Sequence, residues 1–455
     1  MTQAVLLSPC GWGNLGDAAI QEAAIAGVRR HLGDDVRIVA LTQNPTDTAA
    51  RHGVTAYRIA GFEVENYSLG PNPAHEAEPA TSTHAKAEGA VGAEIVADKA
   101  PVTPRRPGFA RRMLRSLIQP PRAVLAELRH WMFAFRLMKA SRILIISGGG
   151  QLDEFWGGPW GHPYAMFKWS TAARFTGCRV VFLSVGAGTL KNSMTRRLIR
   201  SALHKAFYKS FRDPRTVATI ESLQVNGDLN LLPDLAFSHP AARAPAPAQV
   251  PGSRRLIALS PIVYKDPLRW PERDGAFFNA YLDELASFGL AMLARGDAVL
   301  ITTSDYADNS AAEELHARIR TRAAADAALE IDLPADTAAL LAQLKRSDIL
   351  VASRLHGVIL AQISATPVVA VSYNWKVDEQ MKRTKCAEFC VSIENFDTAR
   401  LTALVDRVLA DRTSLSQRLA NETAESFDSL EAQYAQAFRD LGRTARSGGS
   451  VRPPQ

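Results

Sequence analysis

A chain of 455 residues, 47% hydrophobic and 22% charged, has room for two compact domains plus extra segments, which excludes a chain disordered throughout. Four cysteines without a CxxC pair exclude a disulfide scaffold. No run reaches ~18 apolar residues and the opening MTQAVLLSPCGWGNLGD lacks a signal-peptide pattern, so a soluble protein of the reduced cytoplasm is expected. The net charge of +7 suits an anionic partner, and because the arginines crowd between Arg105 and Arg142, the local cluster says more than the total.

Residues 4–8 form a short apolar run ending in Pro9, followed by Gly11, Gly13 and Gly16. Residues 18–32 carry a helical pattern and 36–41 read as the next strand, which together make a βαβ opening. Residues 68–107 are rich in Ala, Glu, Pro, Thr and Gly and predict an exposed, largely disordered insertion. Residues 109–139 mix Arg with Leu, Met, Trp and Phe at helical spacing. Such a helix either lies peripherally on an anionic membrane or packs on its own domain.

Alternation resumes with strands at 143–146, 180–185 and 207–211, and Asp213-Pro214 opens a helix. A Pro-rich stretch, 241–255, reads as the linker between an amino-terminal domain (1–240) and a carboxy-terminal one (256–396). In the second unit, strands are expected at 256–259, 298–302, 349–352 and 368–372. Helices are expected at 277–293, 311–325, 336–345 and 358–363. Residues 397–443 read as carboxy-terminal helices and 444–455 as a disordered tail. The fold class is α/β: two Rossmann-like domains whose parallel sheets face a cleft, where ligands bind at the carboxyl ends of strands.

Five loops carry the candidate chemistry. In Gly11-Trp12-Gly13-Asn14-Leu15-Gly16-Asp17, the glycines permit close backbone approach and the following helix offers free N–H groups to an anion; Asn14 and Asp17 either bond a ligand or cap the helix. Ser353-Arg354-Leu355-His356-Gly357, between a strand and a helix, supplies a guanidinium fork for carboxylate or phosphate and an imidazole for proton transfer. Arg212, at a strand end in Phe211-Arg212-Asp213-Pro214-Arg215, is either a further anion ligand or a local salt bridge. The stretch from Gly148 through Gly149, Asp153, Glu154, Trp156, Trp160, His162 and Tyr164 has the rings and carboxylates of a sugar-binding wall. Tyr373 and Lys376 follow the 368–372 strand, and Lys376 has the charge to meet a phosphate. No metal-binding motif and no nucleic-acid motif stands out.

Taken together, GWGNLGDAAI (11–20), ILIISGGG (143–150), SVGAG (184–188), FRDPRT (211–216), LPDLAF (232–237) and SDILVASRLHGVILAQISATPVVAVSYNWKV (347–377) make the chain similar to the polysaccharide pyruvyl transferase family. The resemblance implies a GT-B-like fold and transfer of the enolpyruvyl unit of phosphoenolpyruvate, as donor substrate and with no cofactor, to a cell-surface glycan or its lipid-linked precursor. A pyruvate ketal forms and phosphate is released. It implies that Arg354, Leu355 and His356 contact the donor and that Arg212 is a further anion-binding arginine; the loop readings add Gly13, Gly16, Asn14, Gly149 and Lys376 as expected substrate contacts. His356 is then the expected general acid, or the phosphate's proton partner, and Asp17 the expected base. Asp153, Glu154, Trp156 and Trp160 are the expected acceptor contacts. Two alternatives are a GT-B glycosyltransferase using a nucleotide sugar and a non-catalytic scaffold in glycan assembly that docks through 105–142.

Overall fold

The computed structural model describes residues 2–9, 11, 13–60, 109–155, 157–243 and 254–441, with backbone alone for 109–123. The expected insertion and tail, most of the linker, and Trp156 fall outside these residues.

The first sheet contains β1 (Gln3–Leu7), β2 (Arg37–Thr42), β3 (Thr55–Arg58), β4 (Ile143–Ser147), β5 (Arg179–Val185), β6 (Tyr208–Phe211) and β7 (Asn230–Leu231). They lie parallel in the order β3-β2-β1-β4-β5-β6-β7. The second contains β8 (Leu256–Ser260), β9 (Ala298–Ile301), β10 (Leu329–Ile331), β11 (Ile349–Ala352), β12 (Val368–Ser372) and β13 (Cys390–Ser392), parallel in the order β10-β9-β8-β11-β12-β13. Central strands such as β1 and β4 are buried along their whole length, because helices cover both faces of a parallel sheet. Each strand order reverses once, between β1 and β4 and between β8 and β11, the places where α/β sheets open a crevice for ligand.

In the amino-terminal lobe the helices are α1 (Leu15–Leu32), α2 (Pro45–His52), α3 (Phe109–Lys139), α4 (His162–Thr176), α5 (Ser193–Leu203) and α6 (Pro214–Ser222). The carboxy-terminal lobe has α7 (Gly275–Ala294), α8 (Asn309–Arg320), α9 (Thr337–Arg346), α10 (Leu355–Ile363), α11 (Trp375–Arg383) and α12 (Thr398–Ala410), and α13 (Arg412–Ala437) follows. One core lies on the outer face of the first sheet under α3, α4 and α5, around Trp169 and Phe182. The other runs from α1 and the inner face into the second lobe.

Some expectations need correction. The helix expected from 358 starts at Leu355, so Leu355, His356 and Gly357 form its first turn. The stretch treated as one loop to Tyr164 ends at His162, where α4 begins. Of the two carboxy-terminal helices, α12 packs on the second lobe and α13 reaches the first. Along α13, Glu431 pairs with Arg30 and His31 at 2.6 and 3.1 Å, Ser210 donates to Gln433, and Tyr434 packs on Gly27, where a Cβ would overlap its ring. That helix therefore straps the two lobes together.

Candidate active site between the lobes

The Gly-rich loop after β1 and the loop after β9 clasp one another. Leu15 N donates to Ser304 O at 3.0 Å, Tyr306 N to Gly13 O at 3.2 Å, and Asn14 Nδ2 to Asp305 Oδ2 at 3.1 Å. Gly13 has φ +80°, a backbone region that disfavours side chains, and the Tyr306 ring fills the space a Cβ would need. Asn14, not Asp17, caps α1: its Oδ1 accepts from Asp17 N at 3.0 Å. The Asp17 carboxyl is left at the helix mouth, beside Gly149.

Gly16 brings the second loop in. Any side chain there would overlap the His356 ring, so the imidazole lies directly on the first turn of α1. The amino-terminal turns of α1 and α10, one from each lobe, thus meet, and both positive dipole ends face the same region. His356 Nε2 is buried and has no hydrogen-bond partner among the described residues. Burial lowers its pKa to about 4, helped by Arg212, Lys376 and Arg354 against the opposing pull of Asp234. Asp17 moves the other way. Burial and Asp305 raise its carboxyl to about 7 despite Arg212 and Arg354. Burial also raises the Asp305 carboxyl.

Each arginine expected to bind the donor has a carboxylate partner. Arg354 forms a bidentate pair with Asp308, Nε to Oδ2 at 2.6 Å and Nη2 to Oδ1 at 2.9 Å, and Asp305 lies 3.8 Å away. Arg212 donates through Nη1 to Asp234 Oδ2 at 2.6 Å. Its guanidinium packs on Gly186, where a Cβ would stand 2.6 Å from Nε. Burial favours the protonated Asp234, but Arg212, His356 and the Ala236 N–H together hold that carboxyl below its ordinary value.

A cavity of ≈ 340 Å³ opens between the lobes, within the size of small-molecule sites. Arg212 and Asp234 line it from the first lobe; Leu355, Lys376, Glu379 and Arg383 line it from the second. Lys376 Nζ donates no hydrogen bond to a described residue, and burial together with Arg212 lowers its pKa. Three cations thus border one small space. The family model for polysaccharide pyruvyl transferases matches residues 14–374, a span that takes in every one of these residues except Lys376, Glu379 and Arg383.

The chain belongs to the polysaccharide pyruvyl transferase family. Comparison with curated proteins gives no match. Solved structures are similar in fold. A UDP-GlcNAc 2-epimerase from Neisseria meningitidis bound to UDP-GlcNAc has a TM-score of 0.52 at 10% identity, covering 96% of this chain and 99% of that one. The Methanocaldococcus jannaschii UDP-GlcNAc 2-epimerase has a TM-score of 0.50 at 9% identity, covering 90% and 93%. Anabaena Alr3699/HepE in complex with UDP and glucose has 0.50 at 8%, covering 96% and 99%. At such identities the likeness establishes the fold alone: two parallel-sheet lobes in the GT-B arrangement.

In this pyruvyl transferase family member, the remaining expected residues divide. Asp153 fills the space over Gly188 and acts electrostatically on Lys376, so it borders the cleft. Glu154 accepts from Asn192 N at 2.6 Å, ahead of α5. Trp160 is 59% exposed and packs on Tyr164, whose hydroxyl donates to Glu127 of α3 at 2.9 Å; the structure does not bring it to the cavity. Asp234, Asp305, Asp308 and Arg383 carry no sequence expectation as site residues. Two signals point to them: Asp234 lies in the LPDLAF motif, and Asp305 and Asp308 follow the carboxyl end of β9. Among the described residues, no group of three or more His, Cys, Asp or Glu side chains could hold a metal ion.

Proposed function

We propose that the protein transfers the enolpyruvyl unit of phosphoenolpyruvate to two hydroxyls of a glycan sugar, forming a pyruvate ketal and releasing phosphate. The observation that carries this reading is the interlobe cavity bordered by Arg212, Lys376 and Arg383. Phosphoenolpyruvate presents a carboxylate and a phosphate, and cations from both lobes with two helix amino-termini suit that charge.

The proton balance assigns roles. Of the two sugar hydroxyl protons, one ends on the methylene carbon, which becomes methyl, and the other on the departing phosphate. A group that gives and then takes a proton near neutral pH meets the first need, and Asp17, with a pKa of about 7, has that property. With its pKa lowered to about 4, His356 is neutral at that pH, which makes it a poor acid. A phosphate beside its unpartnered Nε2 would raise its pKa, so it accepts the second proton and passes it to the leaving group. Of the two roles expected for His356 this is the phosphate's proton partner, and Asp17, expected as the base, also supplies the proton to carbon. Arg212 and Lys376 stabilise the charge that gathers on the phosphate, the larger contribution to the rate.

The test is phosphate release from phosphoenolpyruvate with candidate glycans and lipid-linked sugars, with the product read by mass spectrometry as a pyruvate ketal. His356→Ala is expected to cut turnover about 10²–10⁴-fold. Thermal stabilisation by a nucleoside diphosphate, with none by phosphoenolpyruvate, would overturn the reading in favour of a nucleotide-sugar enzyme.

A further inference from the structure

Residues 124–210 hold thirteen lysines and arginines against three carboxylates, while the whole chain carries only +7, so the remainder is slightly acidic. Six of the thirteen are displayed on α3 and α5. Helices α3, α4 and α5 lie side by side over the outer face of the first sheet, away from the second lobe. Arg129, Arg136, Lys139, Arg196, Arg197 and Arg200 are exposed there, and none forms an ion pair with a described residue. Of the three carboxylates, Glu127 binds Lys168 at 2.8 Å and Glu154 accepts from Asn192 N, while Asp153 turns to the cleft.

The same surface is apolar. Val124, Leu125, Leu128 and Met132 are exposed by 60%, 48%, 55% and 52%. Leu125, Arg129, Met132, Arg136 and Lys139 recur at steps of four and three, so aliphatic and cationic groups share one stripe of α3. Phe175 at the end of α4 is 77% exposed, with its ring 6.4 Å from that of Phe135. No helix of the described residues is long and apolar enough to cross a membrane. A helix that lies flat in an interface needs this other pattern, with aliphatic groups to enter the acyl boundary and long cationic side chains to reach headgroup phosphates. A nucleic acid would answer the charge but not the aliphatic stripe.

We propose that this face, centred on α3, docks the protein on an anionic lipid bilayer. Asp153 borders the cleft, and Trp160 packs on Tyr164 of α4, within this face. If the proposed function holds, docking places the cleft mouth where a lipid-carried sugar would lie. The docking itself needs neither donor nor acceptor, so its test stands apart from the test of the chemistry.

The experiment is co-sedimentation of the full chain with vesicles of phosphatidylcholine alone or mixed with phosphatidylglycerol. Binding is expected only to the mixed vesicles and weakens as salt rises. Combined Leu125→Glu, Leu128→Glu and Met132→Glu substitutions, and separately Arg129→Glu with Arg136→Glu, are each expected to weaken it on the order of tenfold or more while circular dichroism stays that of the wild type. Arg322→Glu, on the exposed surface of the second lobe, makes the same kind of charge change and leaves binding intact. Failure to bind mixed vesicles, equal binding to both lipids, or undiminished binding by the α3 variants would overturn the proposal.

Discussion

The two arginine–aspartate pairs at the cleft look alike in sequence terms and differ in whether they line the cavity. Arg354 gives two nitrogens to Asp308, whose carboxylate is fully buried and also accepts from Val263 N at 3.0 Å. The pair joins the turns after β8, β9 and β11 within one lobe, with Nε and Nη2 both committed to Asp308. Arg212 donates to Asp234 through Nη1, has Asp213 4.0 Å from its Nε, and borders the cavity. Arg354 thus frames the loops of one lobe, while Arg212 lines the cavity itself.

The largest effect expected from this contrast is on stability. Arg354→Met leaves Asp308 buried without its counter-charge, which is expected to cost about 3–5 kcal/mol. Chemical denaturation of the variant checks this. A variant that unfolds like the wild type yet no longer responds to phosphoenolpyruvate would invert the comparison. At Arg212 a smaller effect, on activity, is expected. Arg212→Lys keeps a charge opposite Asp234 but loses the planar fork, so kcat/KM falls about 10- to 100-fold, the worth of one charge-assisted hydrogen bond. Its melting point stays near that of the wild type. Full activity in this variant would mean that the fork does not hold the donor.

The contrast was only half legible in the sequence. Apolar runs closed by glycine placed the central strands, because buried parallel strands are hydrophobic on both faces. The edge strands β3, β10 and β13 are only three or four residues long and carry no such run. Loops at the carboxyl ends of strands placed Arg212, Arg354, His356 and Lys376 at the cleft. Their partners were hidden, since nothing local ties Arg354 to Asp308 or Arg212 to Asp234. The glycines of the quoted motifs gain a reason from packing: Gly16 makes room for His356, Gly186 for Arg212 and Gly188 for Asp153. Nor does the amphipathic pattern of α13 say that it returns to the first lobe, because a helix stripe records burial without naming the surface that buries it.

Asp17 reports on both arginines at once. Arg212 lowers its pKa more than Arg354 does, yet burial and Asp305 prevail and raise it from 3.8 to about 7. Because the folded state holds this proton more tightly than the unfolded chain, the associated stability is complete below about pH 3.8 and is lost as pH rises through about 7. Asp17→Asn removes that loss. Relative to the wild type the variant is expected to gain stability between about pH 4 and pH 8, on the order of 2 kcal/mol once the partial exposure of the carboxyl is allowed for. His356 works in the opposite sense: its lowered pKa gives stability that is complete above 6.5 and lost as pH falls through about 4. That acid-side loss persists in the Asn variant, so the two profiles, followed by thermal melts across this range, differ by the Asp17 contribution alone. Adding Arg212→Lys to the Asn variant should leave the difference small, since no carboxylate at position 17 remains to feel the arginine. Parallel profiles for wild type and Asp17→Asn would show that the residue is solvated well enough to titrate normally, and its part as a proton shuttle would go with it.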